Sequence, residues 1–215
     1  MEGDLKLLNY LGIISTLDAR AGGLWISYLA TLNKITELED ITWFDPELGR
    51  FANKMRMKEV GGAAFSYRAY LTESTILSLS KSLEDVWIDL KTKFGVKFDI
   101  WHPTLHSEFE QEAKLVRALA NVIKHNQSRI NSDNSEHAKF LVQQCNLPEG
   151  IEVQYLTAGS PPLLDLQTLI YKTYLFSLDL IRQVTGYTHE ILEVRENERY
   201  ALVREYLVPE ILKLR

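Results

Sequence analysis

Apolar side chains along this chain recur at steps of three and four, the period of a helix that buries one face. The longest run follows Gly61-Gly62: Phe65, Ala69, Thr72, Ile76, Leu79, Leu83, Val86 and Leu90, with Trp87 widening the stripe. It predicts a helix of about eight turns that stops near Gly95. A second helix is predicted from about Ser107 to about Asn126, where Ser107 suits an N-cap and Glu110 three residues on completes a capping-box pattern. Pro161-Pro162 opens a third, with Leu163, Leu166, Ile170, Tyr174, Ile181 and Val184 buried and Gly186 at its end. The first forty residues read as helical through Leu5, Leu8, Leu11 and Ile14, then through Leu24, Tyr28 and Leu32 beyond Gly22-Gly23. From about Glu190 to Leu207, Glu and Arg mix with Leu, Val and Tyr, as on a solvated helix face.

Strand signals are few. Ile151 to Leu156 alternates apolar and polar residues between Gly150 and Gly159, but one short strand cannot make a sheet. Phe94 to His106 and Gln127 to Ser135 carry the composition of loops. No repeat, low-complexity tract or long linker divides the chain. The expectation is one all-α domain over 1–215, a helical bundle with at most a short β segment near 151–157.

Composition narrows the function. The chain has 215 residues, 46% hydrophobic and 25% charged, which excludes disordered and fibrous classes. A net charge of −5 argues against a protein that coats a long duplex, although a local basic site remains compatible. The one cysteine, Cys145, excludes a disulfide scaffold and a cysteine-based zinc site. Met1-Glu2-Gly3-Asp4 is acidic where a signal peptide is basic, and Asp18 and Arg20 interrupt the most membrane-like stretch. These features predict a cytoplasmic protein with no membrane partner.

Against that acidic background one window stands out. From Ala113 to Ser132 the chain carries Lys114, Arg117, Lys124 and Arg129 and no Asp or Glu. Leu115, Leu119 and Val122, flanked by Val116 and Ile123, predict a buried stripe, and Arg117, Asn121 and His125 follow at steps of four on another face. A guanidinium, an amide and an imidazole in one column suit a phosphodiester. Histidine titrates near neutrality and serves as general acid or base. A neighbouring Arg or Lys holds phosphate and stabilises its transition-state charge. In RNA the 2′-hydroxyl is itself the nucleophile, so this chemistry calls for no cofactor or metal.

The Asn121-x-x-x-His125 half of this column resembles the motif of HEPN domains, helical bundles marked by Arg, often a polar residue, and then His. The long preceding helix through Leu83-Glu84-Asp85 resembles its partner helix, so the similarity covers about residues 60–185. The resemblance implies an RNA-binding protein and a metal-independent endoribonuclease of a toxin–antitoxin or antiphage defence system. It also implies a homodimer in which two motifs face one cleft. His125 would be the general acid/base, Asn121 would orient the phosphate or the imidazole, and Arg117, Lys124 or Arg129 would neutralise charge. The chain departs from the pattern at Ala120, where the family carries Arg, and Arg117 lies about 12 Å from His125 along the axis. Arg129, one helical turn beyond His125 if the helix continues, would lean back toward it.

Other candidates are weaker. His102 and His106 flank Pro103 in a loop, and His137 follows a predicted N-cap at Ser135. Glu73 lies on the tyrosine side of its helix, where it could orient a histidine. Trp25, Tyr28, Trp43, Phe44, Tyr67 and Tyr70 fall at packing positions. The alternative function is a non-catalytic helical interaction or regulatory subunit, with a partner protein or antitoxin, that keeps the bundle without the chemistry.

Overall fold

The computed structural model describes residues 2–40, 45–133, 135–158 and 161–187. Its elements are α1 (Glu2–Asp40), α2 (Arg50–Phe94), α3 (Glu110–His125), α4 (Glu136–Gln143), a 3-10 turn (Val153–Tyr155) and α5 (Leu166–Thr185). Among the described residues the only bridge pairing is an isolated antiparallel contact between Arg129 and Glu152. The architecture is an all-α helical bundle. Trp43, Phe44 and the segment from Glu190 to Leu207 lie outside the described residues.

α1 and α2 form one long antiparallel hairpin, with α5 and α3 packed against α2 and α4 packed on α3. Neither glycine pair breaks its helix: Gly22-Gly23 lies inside α1 and Gly61-Gly62 inside α2, which begins eleven residues before that pair. A glycine inside a helix costs about 1 kcal/mol relative to alanine, which neighbouring turns and an antiparallel partner offset. Arg20 of α1 bonds Asp85 of α2 at 2.6 Å. At the other end the Asn53 amide clasps the entry to α2, accepting from the Asp45 N–H at 2.8 Å and donating to the Asp45 and Leu48 carbonyls.

The α2 stripe matches its periodicity. Ala69, Thr72, Ile76, Leu79, Leu83, Val86, Trp87 and Leu90 are buried, and Phe65 alone is exposed. Gly95 closes the helix at φ +69°, its N–H bonded to the Lys91 carbonyl, and Gly186 does the same for α5. The starts of two helices differ from expectation. Ser107 does not cap α3, which begins at Glu110. The Ser107 hydroxyl accepts instead from the Phe109 N–H and donates to Asp179 of α5 at 2.6 Å. Pro161-Pro162 precedes α5 by four residues, and the cap is Asp165, whose carboxylate accepts from the Gln167 and Thr168 N–H groups. Leu163 is exposed rather than buried.

The Ile151–Leu156 alternation becomes a bridge and a 3-10 turn. Val153 and Leu156 are both fully buried and three residues apart, a spacing that a tight helical turn satisfies and a strand does not. The 95–109 connection packs through its aromatics, Phe98 against Trp87 and Trp101 stacked on Phe176 at 5.6 Å. Deep between α1 and α5 the Tyr174 hydroxyl donates to the buried Asp18 carboxylate at 2.8 Å.

Candidate functional site

α3 is sharply two-sided. Ala113, Val116, Ala118, Leu119, Ala120 and Val122 are buried, while Leu115 and Ile123 are only partly covered. Buried Leu119 and Val122 match the predicted stripe, and the alanines let neighbouring helices approach closely. On the remaining face Arg117 and Asn121 are half-buried, and Lys124 and His125 are exposed to solvent. The column therefore opens onto water.

The Asn121 Nδ2 donates to the Arg117 carbonyl at 2.9 Å, so its own helix supplies the polar partner that an Asn among apolar residues requires. Its Oδ1 accepts from no group among the described residues. Arg117, Lys124 and His125 likewise form no ion pair with a described carboxylate, in contrast to Lys114, which pairs with Glu110 at 2.6 Å. Ala120 is 1% exposed. The position that carries Arg in the HEPN motif faces the core here, so a guanidinium at that position would be shut away from any ligand.

Arg129 does not extend the column. α3 ends at His125, and Gln127 and Ser128 follow at φ +50° and +59°, a left-handed kink that reverses the chain. Arg129 then turns toward Glu152, its Nη2 lying 2.6 Å from Oε1. The Arg129 guanidinium pulls the Glu152 carboxyl below its usual pKa, and a hydrogen bond from Gln154 adds to this. Arg129, expected one helical turn beyond His125, ties two loops instead.

In its place the fold supplies a residue that spacing along α3 cannot reach. Asn126 donates to the Ser135 hydroxyl at 3.3 Å, which fastens the end of α3 to the start of α4, and Ser135 caps α4 as predicted by accepting from the Ala138 N–H. His137, in the first turn of α4, then stands within the electrostatic reach of Arg117 and His125. Partial loss of solvent, and then the positive charge of Arg117 and of His125, hold its imidazole below the ordinary histidine pKa. The site is thus a patch of Arg117, Lys124 and His125, with Asn121 between them and a second imidazole, His137, whose pKa is held below the ordinary histidine value.

A titration checks this arrangement. Followed by its ring-proton NMR signal, His137 should titrate below 6.5, and Arg117→Gln should move its midpoint upward. The sign also fixes a stability trend. The unfolded chain takes up this proton first as pH falls, so stability should drop with pH from about 6.5, the ordinary histidine pKa, downward. An unchanged midpoint in Arg117→Gln would separate the two side chains.

The other sequence candidates do not join this site. His102 bonds Thr104 through Nδ1 at 2.8 Å and packs on Phe98, and the backbone of His106 is clasped by Gln183. Glu73 orients no histidine among the described residues. No group of three metal-ligating side chains assembles among the described residues. Cys145 is half-buried, which pushes its thiol pKa upward. No described helix is long and apolar enough to cross a membrane. No protein family, curated protein or solved structure is matched by the chain.

Proposed function

We propose that this protein binds RNA through the α3–α4 patch and cleaves it as a metal-independent, HEPN-like endoribonuclease, acting as a homodimer in a toxin–antitoxin or antiphage defence setting. The observation that supports this reading is the grouping of Arg117, Asn121, His125 and His137 on a solvent-facing surface without an ion-paired carboxylate among the described residues. The lowered pKa of His137 suits it to the base role. His137, held neutral, takes the proton from the 2′-hydroxyl as its oxygen attacks phosphorus. His125 gives a proton to the departing 5′-oxygen, and Arg117, with Lys124 at the rim, offsets the added negative charge. The products are a 2′,3′-cyclic phosphate and a 5′-hydroxyl, so every atom and proton is accounted for.

One observation favours a second reading, a non-catalytic interaction or regulatory subunit for a partner protein: the motif's Arg position is the buried Ala120. RNA cleavage in EDTA, compared between the native chain and His125→Ala, separates the two. The nuclease reading requires cleavage that depends on His125, and the interaction reading requires none.

A further inference from the structure

We propose that the projecting end of the α1–α2 hairpin docks on an anionic lipid surface. Helix length sets the geometry. The 45 residues of α2 span about 67 Å, against about 30 Å for the 20 residues of α5 and 24 Å for the 16 of α3. Much of α2 therefore outruns α3 and α5. Before Ala69 its only buried residues are Asn53 and Ala64.

That uncovered stretch is not polar. Of the fourteen large apolar side chains exposed among the described residues, seven fall between Leu48 and Tyr70. Phe51 is 76% exposed and Met57 57% exposed, with Leu48 and Met55 close by in sequence. Patches of this kind mark interaction surfaces on soluble folds. The same stretch holds five basic residues, Arg50, Lys54, Arg56, Lys58 and Arg68, against one acid, Glu59, in a chain of net charge −5. Arg56 reaches Asp45 at 3.6 Å, whereas Arg50, Lys54 and Lys58 pair with no carboxylate among the described residues.

Charge and side-chain type select the occupant. The shared positive sign repels a second copy brought end to end and attracts an anionic surface. At the tip of the hairpin, around Leu48, Phe51, Met55 and Met57, only Phe51 offers the flat ring that nucleic-acid bases reward, whereas hydrocarbon accepts all four. At about 100° per residue, Lys54, Lys58, Phe51 and Met55 share a sector of about 100°, roughly opposite the buried Asn53. Such a face inserts its apolar groups between headgroups while lysine stems carry their charges outward to phosphate. The expectation of no membrane partner rested on the lack of a spanning segment, and a surface contact needs none.

Co-sedimentation of the full chain with vesicles tests this. At low ionic strength it should pellet with phosphatidylcholine vesicles containing phosphatidylglycerol, stay soluble with phosphatidylcholine alone, and be released by salt. Lys54→Glu/Lys58→Glu should lower partitioning at least about 25-fold, taking roughly fivefold per lysine. Phe51→Ser/Met55→Ser should also weaken it, with circular dichroism showing the helices of both variants intact. Equal binding to neutral vesicles, or unchanged binding by the charge-reversed variant, would overturn the proposal. So would a native chain that ignores the vesicles but loses RNA affinity on charge reversal, because the arm would then serve nucleic acid.

Discussion

Incubated with mixed RNA in EDTA, the native protein should generate fragments ending in 2′,3′-cyclic phosphate, and His125→Ala should slow this by about 10²–10⁴-fold. His137→Ala should produce a loss of the same order, since the proposed mechanism gives each imidazole one of the two protons in the step. Arg117→Gln should weaken phosphate binding and slow the reaction as well, because it removes the only half-buried guanidinium of the patch. An oligonucleotide with deoxyribose at the cut site should resist entirely, having lost its nucleophile. Cleavage that persists in both histidine variants would reassign the activity elsewhere. No cleavage by any form would leave the interaction reading in possession of the bundle.

The second large effect concerns the frame that holds the patch. Leu119 is fully buried on the side of α3 away from Arg117 and His125, so it seats the helix in the bundle without touching the column. Leu119→Ala should destabilise the fold by about 2–5 kcal/mol, the lost transfer energy plus the cavity left behind. Urea denaturation monitored by circular dichroism would show it as a lower midpoint with an unchanged slope. Lys124→Ala, on the exposed rim of the same helix, should stay within about 0.5 kcal/mol of the native chain. A midpoint that barely moves in Leu119→Ala would mean that α3 is not anchored as described.

The contrast between α2 and α3 shows what the sequence alone could reveal. From Ala69 to Leu90 the spacing of apolar residues matches their burial nearly one for one, because packing against α1, α3 and α5 is what the period encodes. Upstream, between Arg50 and Phe65, the same helix carries cations among exposed apolar groups, so no stripe announces it and Gly61-Gly62 looks like a boundary. Length and an antiparallel partner override local propensity there. Asn53 gave no signal either, since its bonds run to Asp45 and Leu48 in a turn whose shape the sequence does not spell out.

The site divides along the same line. Arg117, Asn121 and His125 are legible as a column because one helix carries all three. His137 is not, since it reaches the column only through a kinked loop and the Asn126–Ser135 tie. Arg129 was misplaced for the same reason. Extending the helix one turn sends it toward His125, whereas two residues of positive φ send it to Glu152. Ser107 and Glu110 form a capping box on paper, yet Asp179 draws the serine hydroxyl away. Short-range rules failed in each case where a distant element offered a stronger partner.

The most direct test of the central claim is an NMR titration with a short 2′-O-methyl RNA, which binds but cannot be cut. The account predicts that the Asn121 side-chain amide and the ring signals of His125 and His137 shift together along one saturating curve, which Arg117→Gln weakens. RNA that saturates the protein while those three signals stay in place would contradict it.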